Sequence, residues 1–184
     1  MRHCDSRDLK NYNWRDSYII MNGKTKEKQE KKQTYDSEIF FHQILQHRQQ
    51  KGLATNHMGV VLTEAGPGWA KGEIKFERYH QNPIGSVHGG VIFFLADAVG
   101  GTAACTRGSL VTTANGTIHY LNAAIEPEKL VAEAVELKAG KNLLTYEVYV
   151  RTETGKLISK ATMEYYSLHK DIRTEMEKHN MLKQ

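Results

Sequence analysis

Cysteine, long apolar runs and a surplus of one charge are what this chain has least of, and each shortage excludes something. Two cysteines in 184 residues cannot make a disulfide framework. They also stand far apart, Cys4 in a polar leader and Cys105 at the end of an apolar stretch, with no zinc-ligand spacing between them. A reducing compartment follows. The apolar run Val91 to Ala96 is broken by Asp97, far short of the roughly 20 residues a membrane span needs. The first residues have no apolar core of the kind a secretory signal carries, so a soluble, cytoplasmic protein is expected, without a membrane partner. Net charge is only +4, and most of it falls early: residues 1–50 hold 10 Lys/Arg against 7 Asp/Glu, the remainder 15 against 14. A body so nearly neutral offers no basic face to nucleic acid. Histidines such as His42, His47, His57, His80 and His119 show no ligand spacing, and no metal is expected.

What is present reads as one domain with additions. Residues 1–35 form a polar leader of mixed charge, expected to be disordered or loosely helical, and Met21 is an alternative start. Its run from 24 to 32 interleaves Glu27 and Glu30 with lysines, the pattern of a solvated face. Residues 36–52 predict a short amphipathic helix on the stripe Ile39, Phe40, Ile44 and Leu45, with Ser37 or Asp36 as cap and Gly52 beyond its end. The main domain is expected over 53–168. Strands are predicted at 57–65 and 69–79, then at 110–121, 130–138, 143–152 and 156–168, the fifth alternating strictly through Leu144, Tyr146, Val148 and Val150. Residues 169–184 are a charged tail, read as a frayed surface helix on the weak stripe Ile172, Met176 and Leu182.

Between the second and third strands lies the stretch that organises the rest, NPIGSVHGGVIFFLADAVGGTAAC over 82–105. After His88-Gly89-Gly90 it is apolar for a helix's length, and its one charged side chain is Asp97. A carboxylate there is costly unless paired, protonated or used. A helix apolar on nearly every side must be buried on nearly every side. An antiparallel sheet achieves that by curling around it, so the class is α+β and the layout that of a hotdog fold. Gly100 and Gly101 disfavour helix by roughly 1 kcal/mol each relative to alanine, which suggests that another backbone comes close there.

Asn82, His88-Gly89-Gly90 and Leu95-Ala96-Asp97, at this spacing, resemble the signature of hotdog-fold thioesterases, the branch of phenylacetic-acid degradation thioesterases and thioesterase-superfamily acyl-CoA hydrolases. By element order the resemblance covers about 53–168. It implies hydrolysis of an acyl-CoA, with CoA a part of the substrate and no separate cofactor. The Gly89 N–H would polarise the thioester carbonyl, and Asp97 would act as general base or nucleophile. Asn82 would help position water or the carbonyl, or serve only as a turn residue before Pro83. His88 would support the helix start, and the Thr113 hydroxyl would stand near the water. Tyr120 and the turn of Gly140, Lys141 and Asn142 would run along the pantetheine and nucleotide, a role that a plain hairpin turn would leave empty.

Elementary chemistry agrees on the central pair. Thioester hydrolysis needs negative charge stabilised at the carbonyl oxygen and a water activated or a nucleophile supplied. A helix start offers unpaired N–H groups and the positive end of its dipole, and glycine leaves room for the carbonyl to approach. Eight residues separate Gly89 from Asp97, roughly 12 Å along a helix at about 1.5 Å per residue. One helix cannot bring both to one carbon, so a homodimer with two composite sites is expected, or a dimer of such dimers. Two alternatives remain open: a hotdog dehydratase of acyl-carrier-protein substrates, which would pair a histidine with a helical glutamate, and a non-catalytic acyl-CoA sensor.

Overall fold

The computed structural model describes residues 30–181, with side chains described over 38–178. Cys4, Met21, Leu182 and most of the expected leader lie outside the described residues. The described residues from Asp36 onward form one compact unit. Helix α1 spans Glu30–Arg48 and a one-turn helix α2 spans Ala54–His57. Strands β1 (Val60–Gly66) and β2 (Trp69–Lys75) follow, then a 3-10 turn at Arg78–His80. The central helix α3 is Gly89–Cys105. Strands β3 (Ser109–Tyr120), β4 (Lys129–Ala139), β5 (Leu143–Thr152) and β6 (Leu157–Asp171) lead to helix α4, Ile172–Met181.

All six strands join one antiparallel sheet in the order β1-β2-β4-β5-β6-β3. The sheet curls around α3, which touches every strand. This is the hotdog layout that the all-round apolar helix called for, and the sheet does not close. Alternation explains the inner face: Leu144, Tyr146, Val148 and Val150 are buried while the residues between them are partly exposed. Where β2 crosses α3, a Cβ on Gly72 would stand 2.8 Å from Val99 Cγ2, so glycine lets helix and sheet close up.

Four expectations need correction. The strand predicted over 57–65 begins only at Val60, because residues 54–57 take a helical turn first. The strand predicted over 69–79 stops at Lys75, ahead of the 3-10 turn. The first helix starts earlier than 36, at Glu30. The tail is not a frayed surface helix over its first turns: Ile172 and Met176 are buried with Phe40, Ile44 and Cys105 in a second small core beside the main one. A stripe of two apolar residues suffices because α1 supplies the other half. Among the described residues no helix is long and apolar enough to cross a membrane.

Candidate active site

The loop before α3 is pinned residue by residue. Asn82 Oδ1 accepts from the N–H of Ile84 (3.1 Å) and of Ser86 (3.0 Å), and its Nδ2 donates to Ser86 Oγ at 2.8 Å. Gly85, with φ of 87°, supplies the left-handed turn this requires. The Val87 N–H donates to Ala124 O at 2.9 Å and the His88 N–H to His80 O at 2.8 Å. Asn82 therefore spends its side chain on the turn, and one amide hydrogen remains for anything else.

His88 is the N-cap of α3, and its Nδ1 accepts from the Gly90 N–H at 2.9 Å. Its carbonyl takes the N–H of Val91 (2.9 Å) and of Ile92 (3.3 Å). Of the first N–H groups of the helix, Gly89's is left: among the described residues no acceptor stands against it. On its other side the Gly89 carbonyl is held by Tyr120 Oη at 2.9 Å, and a Cβ on Gly89 would sit 3.1–3.3 Å from the Tyr120 ring. Burial pushes the Tyr120 phenol up, so it stays a donor at neutral pH. Gly89, Tyr120 and Asn82 line a pocket of about 300 Å³ walled by Val87, Ile92 and residues 121–124.

Two turns on, Asp97 has a different set of partners. Thr113 Oγ1 donates to Asp97 Oδ1 at 2.7 Å. Tyr165 Oη donates to the Asp97 carbonyl at 3.0 Å and lies 3.5 Å from Oδ1. Thr113 and Tyr165 are register partners across β3 and β6, which is why both reach one residue of the helix. The buried Tyr165 phenol is pushed well above its ordinary value by desolvation first and then by the Asp97 charge, with Arg48 pulling the other way. It is a fixed donor. Both of these side-chain contacts fall on Asp97 Oδ1, and among the described residues none falls on Oδ2.

The turn of Gly140, Lys141 and Asn142 stands at the Asp97 end of the sheet. The Asn142 carbonyl accepts from the Ser167 N–H at 2.8 Å, and Leu144 pairs with Tyr165. Tyr120 instead pairs with Ser159, which pairs with Val150, six residues further along β5 than Leu144. At about 3.3 Å per residue that is roughly 20 Å. Within one chain, then, Tyr120 and this turn are not neighbours, contrary to the grouping expected of them. The candidates fall into two sets: Asn82, Gly89 and Tyr120 with His88 behind them, and Asp97 and Thr113 with the turn 140–142.

Sequence reading missed Tyr165, which lies within the strand predicted over 156–168. The available signal was a phenol on an otherwise apolar strand face, since a buried hydroxyl needs an acceptor. Gly100 and Gly101 were the other signal, and there the expectation of a close backbone was wrong. A Cβ on Gly100 would collide with Tyr165 Oη, and one on Gly101 would stand 2.9 Å from Arg48 Nη2. Side chains, not backbone, fill the notch.

The Thioesterase superfamily profile matches residues 84–159. Acyl-coenzyme A thioesterase 13 of Homo sapiens is 37% identical over 103 residues, covering 54% of this chain and 74% of the human protein. The chain belongs to the thioesterase superfamily. Its class of chemistry is thioester hydrolysis. Among solved structures, thioesterase superfamily member 2 of zebra fish is 28% identical with a TM-score of 0.61, covering 68% of this chain and 94% of that one. A conserved protein of Pseudomonas aeruginosa is 25% identical with a TM-score of 0.63, covering 67% and 98%. The matched span of this thioesterase-superfamily chain contains Gly89, Asp97, Thr113, Tyr120 and the turn 140–142, and it leaves out Asn82, Tyr165 and Arg48.

Proposed function

We propose that this chain hydrolyses an acyl-CoA to the free acid and CoA, as a homodimer whose two active sites each draw on both subunits. The observation that carries the reading is the unclaimed Gly89 N–H at the start of α3, opening onto the pocket beside Tyr120. A thioester carbonyl seated there meets an N–H donor and the positive end of the helix dipole, which stabilise the oxyanion as it forms. Asp97 of the partner subunit, with Oδ1 held by Thr113, takes a proton from water as general base, or attacks the carbonyl carbon itself, expelling the CoA thiolate to leave a mixed anhydride that water hydrolyses to the acid and the restored carboxylate, with the proton released going to the thiolate. In the first route the water oxygen bonds to the carbonyl carbon, the C–S bond breaks, and the departing thiolate receives the proton as CoA.

The sheet edges favour this assembly. On β1 the Gln49 amide occupies the edge at Leu62, accepting its N–H at 2.9 Å and donating to its carbonyl at 3.0 Å. The outer edge of β3 has no strand across from it among the described residues. Two β3 edges pairing antiparallel about a centre between Gly116 and Thr117 set Thr113 of one copy opposite Tyr120 of the other, which unites the two sets of candidates. The turn 140–142 of the copy that supplies Asp97 and Thr113 then stands where it can follow the pantetheine.

Release of free CoA thiol from a panel of acyl-CoAs by wild type and Asp97→Asn tests the reading. The variant is expected to lose about 10²- to 10⁴-fold in kcat while KM moves little. Equal rates for the two proteins would overturn the assignment of Asp97.

A further inference from the structure

Helix α1 lies outside the matched span, yet its last residue reaches the helix that carries Asp97. Arg48 Nε donates to Thr102 Oγ1 at 2.9 Å, and Nη1 approaches Cys105 Sγ at 3.7 Å. The same Thr102 hydroxyl donates to Ala98 O at 2.7 Å. Arg48 and Tyr165 both flank Gly101, where a Cβ would stand 2.9 Å from Arg48 Nη2 and 3.4 Å from Tyr165 Cε1, and the guanidinium charge acts on the Tyr165 phenol. Tyr165 in turn holds the Asp97 carbonyl at 3.0 Å.

These contacts account for the glycine pair. Gly100 and Gly101 open the notch that lets Tyr165 Oη reach Asp97, but two adjacent glycines weaken a helix by roughly 1 kcal/mol each. The weak turn comes directly after Asp97. Arg48 lies beside it, bonded to Thr102 beyond the glycines and flanking Gly101 together with Tyr165, whose hydroxyl holds Asp97 before them. Its positive charge also lies toward the C-terminal end of α3, where the dipole favours a cation. Among the described residues it makes no ion pair, and its guanidinium bonds to Thr102 and Cys105 of α3.

We propose that Arg48 is a positioning residue for thioester hydrolysis, acting through Tyr165 and Thr102 to hold the Asp97 turn of α3 in its working place, so that helix α1 is part of the catalytic unit. The proposal rests on the reading of Asp97 as catalytic. Misplacing a reacting group by about 1 Å can cost up to about 100-fold in rate, whereas a residue that only stabilises the fold leaves the rate of the folded protein alone.

The experiment compares Arg48→Met, Arg48→Lys, Tyr165→Phe, the Arg48→Met/Tyr165→Phe double variant, Thr102→Val and Asp97→Asn. Each is assayed for kcat and KM on one acyl-CoA below its melting temperature, with near-ultraviolet circular dichroism to count folded protein. Arg48→Met is expected to lose about tenfold in kcat with KM within about twofold, and Arg48→Lys to recover part of the loss. In the Tyr165→Phe background, removing Arg48 should cost no more than about twofold further, since both act on one turn. Thr102→Val, which keeps the side-chain shape and removes the anchor, carries the same test if Arg48→Met does not fold, and should lose about threefold in kcat. Wild-type kcat in both Arg48→Met and Thr102→Val, with Asp97→Asn inactive, overturns the positioning role alone. Losses that multiply in the double variant overturn it as well. An Asp97→Asn protein as active as wild type removes the catalytic reading and this proposal together.

Discussion

At the scale of single residues, Gly89 is where the proposed chemistry is most tightly specified, because its carbonyl is taken and, among the described residues, its N–H is not. A methyl group at this position tests that division. In Gly89→Ala the new Cβ would lie 3.1–3.3 Å from the Tyr120 ring, tighter than ordinary contact by a few tenths of an ångström. Tyr120 is half exposed and can give way, and alanine favours helix over glycine by up to about 1 kcal/mol. Stability should therefore change little, with Tm within about 3 °C of wild type. The seat for the carbonyl, however, is narrowed on the side where the N–H must be reached, and kcat/KM should fall by about tenfold or more. Thermal melting and steady-state hydrolysis of the same preparation check both halves, and a large drop in Tm with normal kcat/KM per folded molecule would contradict the assignment.

At the scale of elements, α3 depends on the segment before it, and that segment contains a buried histidine. His80 Nδ1 accepts from the Glu77 N–H at 3.0 Å, its ring stacks edgewise on Tyr79, and its carbonyl receives the His88 N–H that leads into the helix cap. Burial lowers its pKa from the ordinary 6.5, with the Met58 backbone and the Glu77 carboxylate opposing. The unfolded chain thus binds the proton first as pH falls. Stability from this group is complete above about pH 6.5 and is lost as pH drops through the lower folded-state value. Tm should decline between pH 7.5 and 5, and less steeply in His80→Asn, whose amide oxygen can still take the Glu77 N–H; parallel slopes would exclude His80 as the cause. The same contrast between local and distant partners explains what could be read from the sequence. Helix α3 and strand β5 were legible because burial on all sides or on alternate sides writes itself into neighbouring residues. The placement of Gly89 at the start of α3 and of Asp97 two turns along it was legible through their spacing. The partners of Gly100, the burial of Ile172 and Met176, and the hydroxyl of Tyr165 were not, since each is decided by a segment more than 60 residues away along the chain, and nothing local distinguishes a covered stripe from an open one.

At the scale of the whole molecule, the question is whether Gly89 and Asp97 of one chain ever serve the same carbonyl. Eight residues of straight helix, roughly 12 Å, stand between them, and they face different partners, Tyr120 at one end and Thr113 at the other. The Gln49 amide occupies the edge of β1 at Leu62, and in the proposed pairing through β3 the assembly in solution should have twice the chain mass of 20.9 kDa, or four times it for a dimer of dimers. Mass alone does not show a shared site; mixing two impaired chains does. In a dimer with composite sites, combining Gly89→Ala with Asp97→Asn leaves one site carrying both lesions and the other carrying neither. Random exchange of equal amounts makes half the dimers mixed, each with one intact site, and about a quarter of wild-type activity should return. Subunit exchange by brief low denaturant, followed by the CoA-release assay, gives the number. If each site were built within one chain, every site in the mixture would keep a lesion, and the activity would stay at the average of the two variants however long the chains were allowed to exchange.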